Sequence, residues 1–233
     1  MKLANRVLPG ALVLCIAVPM ATATIIDFET DMFGNPLSAG TIVSNQFAHL
    51  GIQNISAINN RSSHPDLAIL FDSANPTGGD TDLFTQNLNN ILIIAEDDVD
   101  NSPSDGLIDD PDDEGRGGSL NFELTGQFLS GDFIIVDTEE RGGFIEFFLN
   151  NLSVGSLAIP QIADGAQQSI SFNLASFDEF TVNLAGSGAV GEVNIQAIPG
   201  THDGRDGRHG RLRACHKGTL PSILVRSQFI ESQ

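Results

Sequence analysis

The chain has 233 residues, a formal net charge of −19, fifteen phenylalanines, no tryptophan or tyrosine, and two cysteines. Between Thr24 and Gly200 only three arginines stand against twenty-seven Asp and Glu, a net charge of −24. This charge argues against nucleic acid and anionic membrane surfaces as partners of the segment, because phosphate contacts need Lys and Arg. Cys15 and Cys215 both lie outside the segment, which excludes a disulfide framework within it.

The N-terminal residues 1–23 predict an export signal. Lys2 and Arg6 supply positive charge, a nine-residue apolar run extends from Ala11 to Pro19, and the small residues ATA at 21–23 suit a cleavage site. The apolar run is too short to span a bilayer as a helix. We therefore predict a signal peptide and a secreted mature chain with no membrane span, with a buried N-terminal strand or helix as the alternative.

From Thr24 onward the sequence is a succession of short strand patterns. Several alternate with a period of two, as in Ile170, Phe172 and Leu174, and none has helical periodicity over ten residues or more. We predict one all-β domain over 24–200, an antiparallel two-sheet β-sandwich of jelly-roll type with long acidic loops. The eleven predicted strands are TIIDFE, LGIQNIS, LAILFD, NILIIAE, SLNFEL, DFIIVDT, FIEFFL, SVGSLAI, SISFNLA, FTVNLAG and VNIQAI.

The segment AEDDVDNSPSDGLIDDPDDEGRGG, at 95–118, places ten carboxylates between Glu96 and Glu114 with no Lys or Arg among them. Ca²⁺ takes about six to eight oxygen ligands in irregular geometry, and loops of Asp, Asn, Ser and Gly supply such ligands. A turn at Gly78 and Gly79 would let two further carboxylates converge on the same place. The candidate ligands are Asp80, Asp82, Glu96, Asp97, Asp98, Asp100, Asp110 and Asp112. Asp113 follows this set directly in the sequence and is not part of it.

This acidic segment is not an EF-hand. Pro103 stands where that loop needs glycine, Asp109 replaces the bidentate glutamate, and neither flank has a helical pattern. A solvated acidic loop that only maintains solubility is the alternative. Ten of the twenty-seven carboxylates fall within nineteen residues, whereas a general solubility bias would spread them. This favours a structural Ca²⁺ as cofactor, with divalent cations as partners.

The sequence contains no recognisable catalytic constellation. Gly186–Gly191 spells G-x-G-x-x-G, but a strand pattern follows it where a dinucleotide site needs a helix, so we predict a turn. Between 24 and 200 the only histidines are His49 and His64, and there is no cysteine and no nucleophile elbow. Carboxylate pairs are plentiful, but no spacing identifies one for glycoside cleavage. We predict that the protein is not an enzyme.

The competing function is a carbohydrate-binding module acting on extracellular polysaccharide. Secreted β-sandwich modules of this kind present flat aromatic faces, most often Trp and Tyr. This chain has neither, and most of its fifteen phenylalanines lie in apolar strand patterns that predict the core.

After Pro199 the composition changes. Residues 201–233 are rich in Gly, Arg and His, hold six of the eleven basic residues and have no strand pattern. We predict a disordered basic tail here. A flexible tail that folds over the acidic face is the alternative.

Several ordered motifs between Ile25 and Pro199 resemble exported bacterial proteins of the PEP-CTERM sorting type. They are IDFET, GTIVSNQFAHLGI, AILFDSANPTGGDTDL, NILIIAEDD, DPDDEGRGGSLNFEL, DTEERGG and GSGAVGEVNI. The resemblance implies export by a bacterium, association with the cell surface or extracellular matrix, and a β-sandwich, but no established biochemical activity. It also implies that Glu29 lines a structural Ca²⁺ site, with Asp72, Asp80, Asp82, Glu96 and Asp97 as further ligands.

The chain departs from these proteins at its C-terminus. They end in Pro-Glu-Pro, a transmembrane apolar stretch and an Arg cluster, whereas QAIPG is followed here by THDGRDGRHGRLRACHKG. A reading-frame shift near Pro199 is our hypothesis, and we expect the chain to be released and not anchored. We predict a secreted or cell-surface, calcium-stabilised β-sandwich with a non-enzymatic structural, adhesive or extracellular-matrix role.

Overall fold

The structure, a computed structural model, describes residues 23–198. The predicted signal peptide, apart from Ala23, and the predicted tail at 201–233 lie outside the described residues. The described part contains nine strands and two short 3₁₀ turns, Ala48–Leu50 and Thr81–Leu83. The strands are β1 (Ala23–Ile26), β2 (Ile52–Asn59), β3 (Ala68–Asp72), β4 (Asn90–Ile94), β5 (Gly118–Val136), β6 (Phe144–Leu149), β7 (Leu152–Ala158), β8 (Gln167–Leu184) and β9 (Ala189–Ala197).

All pairings between these strands are antiparallel, which confirms an all-β, antiparallel fold. They form one continuous sheet in the order β3-β4-β9-β5-β8-β6-β7, with β1 paired to β9 and β2 paired to β5. The turn predicted at the G-x-G-x-x-G sequence joins β8 to β9 without a helix. No helix within residues 23–198 is long and apolar enough to cross a membrane.

The prediction of about eleven strands was wrong by two, because two pairs of neighbouring patterns form single long strands. SLNFEL and the DFIIV of DFIIVDT are both parts of β5, and SISFNLA and the FTVNL of FTVNLAG are both parts of β8. The polar residues between the patterns mark shifts of register within a continuous pair, where Phe128 of β5 lies opposite Phe177 of β8. Both of these side chains are buried, so the chain stays extended to keep them in the core.

The core is rich in phenylalanine, as the strand patterns predicted. Ten of the fifteen phenylalanine side chains are buried. Phe147 is fully buried, and its ring centroid lies 4.8 Å from that of Phe172 and 5.1 Å from that of Phe177. Phe122 and Phe180, which are opposite each other on β5 and β8, stack at 4.4 Å. Such ring pairs add to the free energy gained by burying apolar surface.

Five connections between strands meet at one place, four of which carry the acidic residues that converge there and the fifth of which carries Ser187. They are 73–89 between β3 and β4, 95–117 between β4 and β5, 137–143 between β5 and β6, 159–166 between β7 and β8, and 185–188 between β8 and β9. Hydrogen bonds between these connections bring their carboxylates together at one place, although they are far apart in sequence.

Candidate metal centre

Three carboxylates, those of Asp80, Asp112 and Asp113, form a first cluster, in which one oxygen of each lies within 4.8 Å of the others. Asp80 immediately precedes the 3₁₀ turn Thr81–Leu83, and its Oδ2 accepts a 2.7 Å hydrogen bond from the backbone N–H of Asp113. Asp113 itself is held beside β4 by a bridge to Ala95. Oxygens bound to one Ca²⁺ at about 2.3–2.6 Å lie at most about 5 Å apart, so this spacing suits a shared cation.

Asp82, Asp137 and Asp164 form a second cluster with the same spacing. Asp82 belongs to the 3₁₀ turn that Asp80 precedes, so this one turn contributes to both clusters. Asp137 follows β5 directly, is 1% exposed, and accepts a 2.9 Å hydrogen bond from the backbone N–H of Gly165 at Oδ1. That bond places the connection carrying Asp164 against the end of β5.

Ser187, in the turn between β8 and β9, links the two clusters. Its Oγ lies 2.9 Å from Oδ2 of Asp113 and 3.1 Å from Oδ2 of Asp137. One hydroxyl has one proton to donate, so it cannot satisfy two ionised carboxylates at once. A proton on one of the carboxyl groups, or a cation nearby, is needed to balance this arrangement. The backbone N–H of Gly188 also donates to Oδ2 of Asp113, at 2.7 Å.

Four of the clustered carboxyl groups have raised pKa values. Burial raises the pKa of Asp113 to about 7. Burial, together with the hydrogen-bonded carboxyl of Asp80, raises the pKa of Asp112 to about 8. The pKa values of Asp80 and Asp137 are also raised, mainly by burial. Near neutral pH the first cluster therefore holds protons unless a cation takes their place, because a bound cation favours the ionised carboxylates.

Gly78 is required for the approach of the two acidic connections. Its φ is +62°, and a Cβ at this position would lie 2.6 Å from Cβ of Asp112. Its backbone N–H donates to Oδ1 of Asp110 at 3.0 Å, and the neighbouring Thr77 Oγ1 donates to the carbonyl of Pro111 at 3.0 Å. The glycine turn singled out in the sequence thus lets connection 73–89 pack directly on connection 95–117.

Of the ten predicted ligands, the structure brings Asp80, Asp82 and Asp112 into the clusters. Three others cap local turns, since each carboxylate accepts hydrogen bonds from backbone N–H groups close by in sequence. These three are Asp72 with Ala74 and Asn75, Asp97 with Val99, and Asp100 with Asp105 and Gly106. A fourth, Asp110, accepts the hydrogen bond from Gly78 that joins the two acidic connections.

The remaining three predicted ligands lie elsewhere. Asp98 is exposed. Glu96 forms an ion pair with Arg61 at 3.1 Å. Glu29 accepts a 3.0 Å hydrogen bond from the backbone N–H of Asn90 and lines a separate polar cavity of about 240 Å³.

Glu114, at the end of the acidic segment, is held by Arg61 and His64 and not by the clusters. Its side chain is fully buried, with Arg61 Nε at 3.6 Å and His64 Nδ1 at 2.8 Å. Arg61 Nη1 lies 3.0 Å from His64 Nε2. Since the arginine can only donate, His64 accepts at Nε2, and its neutral tautomer carries the proton on Nδ1 toward Glu114. This network fixes the start of β5 to the turn after β2.

Sequence reasoning did not select Asp137, Asp164 or Ser187, and it mentioned Asp113 without including it among the ligands. Asp137 directly follows a strand pattern, and Ser187 lies in the glycine-rich turn that was set aside as a dinucleotide motif. Their positions at the ends of strands were the available signal, because the ends of antiparallel neighbours meet at the same edge of a sheet.

Each cluster is a set of oxygen ligands without nitrogen or sulfur, partly buried and held by backbone hydrogen bonds. Such a set can hold a hard metal ion. No protein-family model matches this sequence, and no curated protein matches it significantly. The resemblance to the PEP-CTERM type therefore stays a prediction, and inferences about function rest on the site itself.

Proposed function

We propose that the protein is an exported bacterial β-sandwich, stabilised by Ca²⁺, with a non-enzymatic structural or adhesive role at the cell surface or in the extracellular matrix. The observation that carries this proposal is the pair of acidic clusters, Asp80–Asp112–Asp113 and Asp82–Asp137–Asp164, joined through the hydroxyl of Ser187. Five connections of the sheet meet there, so an ion would bind the folded chain and not the unfolded one.

The chemistry of the clusters favours Ca²⁺ over other metal ions. All six side chains are carboxylates, which suit hard cations, whereas zinc and copper sites use His or Cys. Backbone carbonyls and water can complete the irregular shell of about six to eight oxygens that Ca²⁺ accepts. Mg²⁺ demands near-ideal octahedral geometry and keeps several waters, so clusters built from irregular connections fit it less well.

A bound ion would contribute to stability by mass action. At a free Ca²⁺ concentration one hundred times the dissociation constant, a single site adds about 2.7 kcal/mol to the free energy of unfolding. It would do so by neutralising carboxylates that otherwise repel one another. In a domain with a net charge of −24 and no cysteine between 24 and 200, such ions replace the role that disulfides have in other exported proteins.

The sandwich form is part of the proposal. Along its length β5 changes its neighbours, pairing with β2 over Gly118–Leu124 and with β9 over Phe128–Val136. The register shifts between Glu123 and Phe128 mark where β5 and β8 bend. Because the long strands β5 and β8 each pair with different strands along their length, they support closure of the sheet into two layers of jelly-roll type around the phenylalanine core.

Export and the extracellular role are supported by the N-terminal sequence and by the resemblance to the PEP-CTERM type. N-terminal sequencing of the chain recovered from culture medium tests this part directly. We expect the mature chain to begin at Thr24. Recovery of the chain with residues 1–23 intact, inside the cell, would overturn the export proposal.

The calcium proposal is tested by the melting temperature of the full chain in chelator, Mg²⁺ and Ca²⁺. We expect millimolar Ca²⁺ to raise the melting temperature, chelator to reverse the rise, and Mg²⁺ to have a smaller effect. Asp112→Asn should abolish most of the rise. Asp98→Asn, the same substitution at an exposed site in the same segment, should leave it unchanged. A melting temperature that is independent of Ca²⁺ leaves only the solvated-loop interpretation.

A further inference from the structure

A cleft of about 300 Å³ lies beside the second acidic cluster and is lined by Phe84, Thr85, Gln86, Asn87, Gly165 and Gln167. One wall continues from the 3₁₀ turn that carries Asp82, and the other lies between Asp164 and the start of β8. No charged side chain is among the lining residues. The volume is at the lower end of the range for small-molecule sites.

The backbone of both walls is held firmly. Thr85 is buried, its N–H donates to the carbonyl of Ser73 at 3.1 Å, and its hydroxyl lies 2.6 Å from the hydroxyl of Ser73. On the other wall the N–H of Gly165 donates to Asp137 at 2.9 Å, and the N–H of Asp137 donates to the carbonyl of Ala166 at 2.9 Å. The backbone around a ligand in the cleft would therefore need little ordering on binding.

Three amide side chains in the cleft are, in contrast, free to bind a ligand. Gln86, Asn87 and Gln167 are exposed, and within residues 23–198 their side-chain amides make no hydrogen bond to other protein groups. Phe84 is 47% exposed, although ten other phenylalanines are buried. Its ring thus stands at the surface beside three amides, each of which offers both donors and an acceptor.

We propose that this cleft binds a neutral glycan. Sugar hydroxyls are paired donors and acceptors that match side-chain amides, and the C–H face of a sugar ring packs on an aromatic ring. With no tryptophan or tyrosine in the chain, phenylalanine is the only aromatic residue that can take this role. Uronate and sulfate polysaccharides are disfavoured by the neighbouring Asp82 and Asp164 and by the charge of the whole domain.

This inference goes beyond the proposed calcium site, because the lining residues include none of the six clustered carboxylates. The two proposals can fail separately. A glycan that binds in chelator as well as in Ca²⁺ supports the cleft whatever the ion does. A calcium-dependent melting temperature supports the clusters whatever the glycan does.

Binding of neutral hexasaccharides of glucose, mannose and xylose to the full chain tests the proposal by isothermal calorimetry, in Ca²⁺ and in chelator. We expect at least one of them to bind, and Phe84→Ala to weaken that binding by about tenfold or more. Gln167→Ala should weaken it by roughly fivefold. Phe33→Ala is the matched control, because Phe33 is 79% exposed but does not line the cleft, and this variant should bind like the wild type.

A second measurement makes the test independent of the variants. In an NMR titration the side-chain amide resonances of Gln86, Asn87 and Gln167 should shift with the same ligand. No binding to any of the three sugars would overturn the proposal. Binding that Phe84→Ala leaves intact, or that shifts resonances away from the cleft, would overturn it equally. Preference for a uronate oligosaccharide would contradict the neutral character assigned to the ligand.

Discussion

Replacing Asp113 by Asn should raise the stability of the folded chain in the absence of calcium and reduce the stabilisation that calcium provides. Asp113 is 5% exposed, lies within the first cluster, and accepts hydrogen bonds from Ser187 and Gly188 at one oxygen. Asparagine keeps an acceptor oxygen and the side-chain shape but removes the charge. In chelator the variant is spared a buried negative charge, and in Ca²⁺ it lacks a ligand.

The magnitude follows from the pKa of Asp113, which burial raises from 3.8 to about 7. That difference corresponds to about 4 kcal/mol between the ionised and protonated forms of the folded chain. We expect roughly half of it in practice, about 2 kcal/mol, because an ionised cluster relaxes and admits water. For a chain of this size 1 kcal/mol shifts the melting temperature by roughly 2–4 °C.

The assay is thermal unfolding followed by circular dichroism near pH 8, in chelator and in saturating Ca²⁺. In chelator Asp113→Asn should melt roughly 4–8 °C above the wild type. On addition of Ca²⁺ the wild type should rise by roughly 5–10 °C and the variant by less than half as much. Asp98→Asn should follow the wild type in both conditions. An Asp113→Asn variant that melts below the wild type in chelator, or that responds fully to Ca²⁺, would refute the reasoning.

The structure leads to three further predictions. In chelator the free energy of unfolding should fall as the pH rises from about 4 to about 8, because the folded chain keeps protons on Asp112 (pKa about 8) and Asp113 (pKa about 7) that the unfolded chain has released. Saturating Ca²⁺ should flatten this dependence, and a free energy that rises over the same interval in chelator would contradict it. Glu114→Ala should cost roughly 1–3 kcal/mol in urea unfolding, because it leaves the His64 ring and the Arg61 guanidinium without their buried acceptor while Arg61 keeps Glu96, and Glu114→Gln should cost less. Phe147→Ala should cost about 3–5 kcal/mol by leaving a cavity in the phenylalanine core, whereas a loss below about 1 kcal/mol would mean that the core collapses around the missing ring.

Strand positions could be predicted because alternation is a local property. In the six-residue strand β6, Ile145 and Phe147 are buried and their neighbours are more accessible. The amino-acid sequence alone shows this period of two. The ends of strands were harder to predict. TGQFLSG between two patterns of β5 looks like a connection, but Phe128 within it is buried against Phe177, and this distant contact keeps the chain extended.

The acidic residues show even more clearly that a local sequence pattern does not predict contacts between distant residues. The sequence predicted an unusual concentration of carboxylates at 96–114, but a concentration does not specify which oxygens converge. Asp97 and Asp100 belong to the run but cap their own turns, since local N–H groups are the nearest donors. Asp137, which lies outside the run, is brought to the site by the end of β5.

The sequence by itself determined the charge of the domain, its all-β character, its phenylalanine core and the restriction of any metal site to oxygen ligands, because these depend on composition and on periods of two residues. Only the tertiary structure decided that Asp80 meets Asp113 across 33 residues and that Ser187 joins Asp113 to Asp137 across 74 and 50. The cleft beside Phe84 also depends on the tertiary structure, because it forms between residues 84–87 and residues 165–167. Contacts over such separations depend on how the strands pair and where each connection leaves the sheet, and no local pattern records that.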